Sequence, residues 1–315
     1  MTVALLTNMP FFISSKLNSE SKFINFDFNF FKTNYKLIYG VEALNTISDE
    51  FLIWFIGFTE GDGSFIISKT RKNILQFVIT QSTEDVKILE LIQKTLGFGK
   101  ISKQGKRTSR YIVQDIKNIY LLILLFNGNI VLPTRKLKFR AFLKDLNDKI
   151  SKGKIKSSSI FSSNKQVELI KPLDLKILPS LNNSWLSGFT DAEGCFTVSF
   201  LSKPSNAFRL RYIVTQKGDE NLPILSHLIF LFNGGLIEAH SAKSNYSYVL
   251  TGKKNCYKIY NYFKNFPLKT KKAYSLELWK VIHNKIDNKE HLNLLLKPEI
   301  IKMAKIVNSI KRKSK

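Results

Sequence analysis

Two pairs of carboxylates carry the chemistry that this sequence can do. Glu60 and Asp62 stand two residues apart, and Asp191 and Glu193 repeat that spacing, each pair closing a largely apolar run that begins at Trp54 or Trp185. Residues two apart on a helix point about 200° away from each other, so both members of a pair cannot serve one site. Asp62 and Glu193, the last acid of each run, are the ones that a pairing of the two runs would bring together. Acids at a helix C-terminus work against the helix dipole. They are also conspicuous in a chain with 49 Lys+Arg against 24 Asp+Glu, a net charge of +25. A divalent cation accounts for their position, because Mg²⁺ takes one or two carboxylates together with water and substrate phosphate.

The elements that must hold these acids are duplicated. Trp54-Phe55-Ile56-Gly57-Phe58-Thr59-Glu60-Gly61-Asp62-Gly63-Ser64-Phe65 recurs as Trp185-Leu186-Ser187-Gly188-Phe189-Thr190-Asp191-Ala192-Glu193-Gly194-Cys195-Phe196. Val78–Gln81 returns as Ile213–Gln216, Gly97–Ile101 as Asn233–Ile237, and Leu132–Lys136 as Pro267–Lys272. Asp62 to Gln81 spans 19 residues and Glu193 to Gln216 spans 23, while Gly99 to Val113 and Gly235 to Val249 both span 14. Four markers in one order make the chain two copies of one unit. Gly57 and Gly61, like Gly188 and Ala192, lie four apart on one helix face and allow close backbone approach, so the two helices are expected to pack on each other about a pseudo-twofold axis.

Within each unit the pattern predicts helix, two strands, helix, two strands, helices. Ser48 caps the first helix and Asn183 or Ser184 its counterpart, and Gly63 and Gly194 stop them. Alternation then sets Phe65 and Ile67 against Ser64, Ile66 and Ser68, and Phe196, Val198 and Phe200 against Cys195, Thr197 and Ser199. Val86–Leu96 and Leu222–Phe232 read as helices over the apolar face. The fold class is α+β: two pseudo-twofold-related αββαββα units, each an antiparallel sheet with helices on one side and an uncovered polar face on the other. Residues 1–46, rich in Phe, Asn, Ser and Lys without a period, read as a leader or extension; 47–150 and 181–315 are the two halves; polar 151–180 is the linker.

Composition narrows the function. The positive excess points to a polyanion, most simply nucleic acid. Two cysteines, Cys195 and Cys256, exclude a disulfide scaffold and a zinc ribbon, and His227, His240, His283 and His291 contain no i, i+4 pair for a metal. No run approaches the ~18 apolar residues of a membrane span. Abundant Lys, Asn, Ile and Phe fit an A+T-rich genome.

The motif Gly-x-x-Asp/Glu-Gly/Ala-Asp/Glu-Gly, present twice after an apolar start, resembles that of the single-chain LAGLIDADG homing endonucleases, from about Ile47 to beyond Lys272. The resemblance implies saddle-shaped antiparallel sheets astride the DNA major groove and one metal-binding carboxylate per motif, here Asp62 and Glu193, with backbone carbonyls of Gly61 and Ala192. It implies that Gln81 and Gln216 order solvent near the metals. It also implies a basic residue ahead of the following helix, Lys271 in the second copy and Arg135 at the aligned position of the first, with Lys136 next. Glu60 and Asp191 would be structural. The implied activity is a Mg²⁺-dependent double-strand break in a long DNA site, by a monomer with an internal pseudo-dimer. The alternatives are an RNA maturase assisting its own intron, alone or alongside cleavage, and a non-catalytic DNA-binding regulator; with the A+T skew, the gene is expected to be organellar, mitochondrial in particular. Readers of base edges are expected among Ser68, Gln76, Thr80, Lys100, Ser102 and Arg110 in the first half, and Thr197, Ser199, Arg209, Arg211, Glu238 and Tyr246 in the second.

Overall fold

The computed structural model describes residues 25–68, 74–201, 206–240 and 242–308. Residues 1–24 of the expected extension lie outside them. The first half opens with α1 (Asn29–Tyr39) and α2 (Val41–Asn45), then α3 (Asp49–Asp62), β1 (Gly63–Ser68), β2 (Ile74–Ser82), α4 (Val86–Leu96), β3 (Lys100–Gln104), β4 (Thr108–Val113), α5 (Ile116–Phe126) and α6 (Pro133–Ser151). The second half runs α7 (Trp185–Glu193), β5 (Gly194–Phe200), β6 (Phe208–Lys217), α8 (Leu222–Leu231), β7 (Leu236–Ala239), β8 (Asn245–Thr251), α9 (Lys253–Cys256), α10 (Lys258–Asn265), α11 (Lys272–Asp287) and α12 (Lys297–Ile306). Two four-stranded antiparallel sheets result, in the orders β1-β2-β4-β3 and β5-β6-β8-β7.

Alternation decides which face each sheet buries. In the first, Phe65 and Phe77 meet Phe126 from α5 and Phe139 and Phe142 from α6, with ring centroids 5.2–5.8 Å apart across the closest pairs. In the second, Phe196 and Tyr212 meet Phe263 and Trp279. Burial of these rings, each removing well over ~100 Å² of apolar surface from water, holds helices to sheet. Among the described residues, no helix covers the opposite faces.

Both connecting regions are more integrated than their composition indicates. In the expected leader or extension, residues 25–46 are packed onto the first half: Phe31 and Tyr35 of α1 are buried, Tyr35 donates to Leu96 O (2.9 Å), and Asn129 ties the chain at Asp27 in both directions (2.6 and 2.9 Å). The 151–180 segment is almost without regular structure, yet Ile160, Phe161, Ile170 and Ile177 are buried. Asn147 and Asn127 each bridge to its backbone through both carboxamide groups, which satisfies a strand-like segment that has no sheet partner.

Candidate active site

The site is built at the crossing of α3 and α7. The Ser48 hydroxyl accepts from Phe51 N (3.1 Å) with Asp49 and Glu50 in the first turn; at α7 the acceptor is the Asn183 side chain, 3.1 Å from Trp185 N, while Ser184 donates across the interface to Glu50 O. The small residues do what their spacing predicts. A Cβ on Gly57 would lie 2.1 Å from Trp185 O, one on Gly188 1.9 Å from Trp54 O, and one on Gly61 2.2 Å from the Ala192 methyl. The two backbones touch, and the contact is reciprocal.

Gly63 and Gly194 end the helices for a reason other than left-handedness. Both are extended (φ −84° and −79°), but a Cβ at either would fall 2.7 Å from the carbonyl oxygen and 2.4 Å from the methyl of the threonine four residues back, Thr59 or Thr190. The chain turns sharply into β1 and β5 against that threonine, and only glycine fits.

Glu60 and Asp191 face away from the helix ends into the interface. Trp185 Nε1 donates to Glu60 (3.0 Å) and Trp54 Nε1 to Asp191 (2.9 Å), so each half's tryptophan closes the other half's acid. Glu60 also accepts from the backbone N–H groups of Val131 and Leu132, and Asp191 from those of Lys269 and Thr270 and from the Thr270 hydroxyl. These acids are therefore anchors for the loops that lead into α6 and α11. Burial pushes the Glu60 carboxyl up to about 7 and raises Asp191 as well, the hydrogen bonds pulling the other way.

Asp62 and Glu193 sit together at the foot of the crossing. A Cβ at Gly61, beside Asp62, would be 3.0 Å from Glu193 Cγ, and the two carboxylates feel each other electrostatically. Burial first, and then Glu193, push Asp62 up to about 7 against the opposing pull of Lys272 and Arg135; burial raises Glu193, again opposed by Lys272 and Arg135. Two acids and two bases thus form one partly desolvated cluster. Gln81, at the end of β2, donates to Asp62. Its counterpart Gln216 turns away: its carbonyl accepts from Lys217 N (2.9 Å), and its Nε2 is buried with no partner.

The basic residues need correcting. Arg135 donates to Gly61 O and Gly63 O (3.1 Å to the latter), and Lys272 to Ala192 O (2.7 Å) and Thr190 O (3.2 Å), so Arg135 and Lys272 are the equivalent pair. Lys271 pairs instead with Asp85 (3.4 Å), and Lys136 donates to Leu175 O in the connecting segment. The reason is that α6 starts at Pro133 and α11 at Lys272, so the same residue offset points a side chain in a different direction. Sequence comparison aligned residues, not helix starts, and so missed Lys272.

The donor set suits a hard divalent cation. Two carboxylates and two backbone carbonyls converge on one end of the crossing, and those carbonyls already attract cationic groups. Among the described residues no group of three or more His, Cys, Asp or Glu side chains is arranged around a metal position. The Gln216 Nε2, equivalent to the Gln81 Nε2 that holds Asp62, is a donor with no acceptor among the described residues.

The uncovered sheet faces flank this end. Register puts Ser68, Gln76, Thr80, Arg110, Ser102 and Lys100 on one face of the first sheet, since Thr80 opposes Arg110 and Arg110 opposes Ser102. Thr197, Ser199, Arg209, Arg211 and Glu238 share the equivalent face of the second. Tyr246 does not: it opposes Gln216, one step out of phase, and its hydroxyl donates to Asp219 (2.7 Å). A one-residue slip in phase reverses the face, and the flanking Ser244 and Asn245 gave no apolar mark to fix it. Gln104, Thr108, Thr215 and Lys217 lie on the open faces as well. The first two carried no mark beyond their place in short, polar strands.

Two crossed motif helices, each delivering one acid to a shared end beside an open antiparallel sheet, define a two-motif pseudo-dimeric α+β protein. The chain belongs to the LAGLIDADG endonuclease family, whose model matches residues 55–146 and 186–283. It is similar to "Probable intron-encoded endonuclease 4" of Neurospora crassa, 42% identical over 264 residues that cover 81% of this chain and 44% of that protein. It is also similar to "Uncharacterized cox1 intron-2 37.2 kDa protein" of Schizosaccharomyces pombe, 28% identical over 240 residues, 75% of this chain and 66% of that one. The chain thus spans less than two thirds of the length of either relative. Among solved structures, the LAGLIDADG meganuclease I-AabMI bound to uncleaved DNA superposes with a TM-score of 0.65 at 27% identity, over 81% of this chain and 98% of that one.

Proposed function

We propose that this chain is an intron-encoded, site-specific DNA endonuclease of organellar, mitochondrial origin, which makes a double-strand break with Mg²⁺ as its metal. The observation that carries this is the meeting of Asp62 and Glu193, one from each half, at the end of α3 and α7 between two open polar sheet faces. Retention of both acids favours cleavage over splicing assistance alone and over non-catalytic regulation. The partner is double-stranded DNA, bound by a monomer whose halves stand in for two subunits. Base edges meet the residues of the open faces, while the lysine excess contacts phosphates and makes affinity fall steeply with salt.

Asp62 and Glu193 would hold the divalent cation, with the carbonyls of Gly61 and Ala192 available beside them. When bound, the cation supplies charge stabilisation at the scissile phosphate and the departing 3′ oxygen. Lys272 and Arg135 add fixed positive charge at the same end of each half, where burial makes it effective. Gln81 orients the Asp62 carboxylate, and Gln216 has a free donor with which to do the same on the other side.

The test is cleavage of a plasmid carrying a selected target, with Mg²⁺, by the parent chain, Asp62→Asn and Glu193→Gln. The parent linearises the plasmid, and each variant binds the site without making the double-strand break. A parent chain that binds DNA selectively yet leaves it intact over a range of Mg²⁺ concentrations removes the nuclease reading.

A further inference from the structure

The two open faces are related by the repeat but present different groups at matching positions. Thr80 and Thr215 correspond, and four residues earlier stand Gln76 in the first half and Arg211 in the second. Opposite the threonines on the next strand are Arg110 and Ser247, and opposite those on the edge strand are Ser102 and Glu238. One half therefore offers a carboxamide, a guanidinium and a hydroxyl where the other offers a guanidinium, a hydroxyl and a carboxylate.

In the second half these groups are connected. Arg211 Nη2 reaches across β8 and donates to Glu238 Oε1, with the two side chains 23% and 43% exposed. Ser247, directly opposite Glu238 on β8, is short and buried, its hydroxyl engaged by Thr215 and by His240 (2.6 Å each). Arg211 Nε, like Arg110 Nε in the first half, is buried with no partner among the described residues, so it is the Nη groups of Arg211, with Glu238 holding one of them, that can meet a base. A partly exposed pair of this kind adds only about 0–1 kcal/mol to stability, so stability does not account for it. Its geometry suits recognition: a guanidinium fork held in place pairs bidentately with guanine O6 and N7, and a carboxylate accepts from cytosine N4.

We propose that Arg211, positioned by Glu238, reads a guanine–cytosine pair in the half-site under the second sheet, and that the mirror position under the first sheet, where Gln76 and Ser102 form no such ion pair, is not read by a guanidinium held in this way. This rests on the endonuclease reading and extends it to the content of the target. Bound sites are selected from a randomised DNA library, with binding as the readout, for the parent, Arg211→Gln, Glu238→Gln and a transplant variant, Gln76→Arg with Arg110→Ser and Ser102→Glu. The parent selects G·C at one position of one half-site. Arg211→Gln lowers that preference by about 5- to 150-fold, the discrimination of one bidentate contact. Glu238→Gln weakens preference at the same position while other positions are unchanged, and the transplant creates a new G·C preference at the mirror position, which a merely structural role would not do. Selective binding whose base preferences are unmoved by Arg211→Gln overturns this inference and leaves the endonuclease reading standing. A parent chain that selects no sequence overturns both.

Discussion

Moving one methyl group across the pseudo-twofold axis tests the helix crossing on which the site depends. A Cβ on Gly61 would lie 2.2 Å from the Ala192 Cβ and 3.5 Å from its Cα. Carbon atoms rest about 3.5–4.0 Å apart, so Gly61→Ala has to part the helices by about 1.3–1.8 Å. That separation would also loosen the backbone contacts at Gly57 and Gly188, which places the cost near the top of the overpacking range, about 3 kcal/mol. Helix propensity returns up to about 1 kcal/mol for Gly→Ala, leaving a net loss of about 2 kcal/mol. Ala192→Gly alone loses about 1 kcal/mol of propensity and some packing. In the double variant the propensity terms cancel and the methyl simply comes from the other helix, so stability returns to within about 1 kcal/mol of the parent, against an additive loss of about 3 kcal/mol, and the coupling is about 2–3 kcal/mol. Urea unfolding of the four proteins, followed by tryptophan fluorescence, measures this directly. Additive effects, or a Gly61→Ala variant as stable as the parent, would show that the helices do not meet as described.

Three further outcomes follow from particular contacts. Thr190 shares a 2.6 Å hydrogen bond with the Tyr212 hydroxyl, whereas the corresponding Thr59 hydroxyl is buried without a partner among the described residues, Phe77 standing at the register position of Tyr212; Tyr212→Phe should lower unfolding stability by about 1–3 kcal/mol, and Phe77→Tyr should raise it by a smaller amount, both read by urea unfolding. Lys272→Met should slow plasmid cleavage by about 100-fold, whereas Lys271→Met, which loses only its Asp85 pairing, should change it by no more than a few-fold. Burial, with Lys253 adding repulsion, holds the His283 imidazole down at about 4 from its usual 6.5, so the unfolded chain binds the extra proton between those values and stability falls as pH drops through that window; His283→Gln should flatten the slope of thermal stability between pH 4 and 6.5, and an unaltered slope would refute it.

Much of this architecture was legible because duplication supplies an internal control. Helix starts, strand faces and the crossing each appeared twice, and the spacing of Gly57 with Gly61 stated the closeness of the contact before any coordinate did. The opposite orientation of Glu60 and Asp62 followed from helix geometry alone. What was not legible depended on where an element begins. Arg135 and Lys272 come into equivalence because α6 and α11 start out of step, and no pairwise reading of residue types contains that information. Tyr246 was misplaced for a related reason, a strand phase without a strong apolar mark. Residues 25–46 showed no period because α1 buries Phe31 and Tyr35 yet leaves Phe30 and Leu37 in solvent. Gln216 shows a further limit: the same residue at the same place in the repeat adopts a different hydrogen bond.

The exchange of Trp54 and Trp185 between Asp191 and Glu60 has a consequence for how such a chain can be divided. Neither half completes its own helix end, so a half made alone would bury a carboxylate missing one of its donors and expose the stripe of glycine and tryptophan that normally faces the other. Co-production of the separated halves would restore both donors at once. A single half has only one route to the same end, self-association with its twin, in which Trp54 would serve Glu60 of a second copy and the approximate twofold of the molecule would become exact.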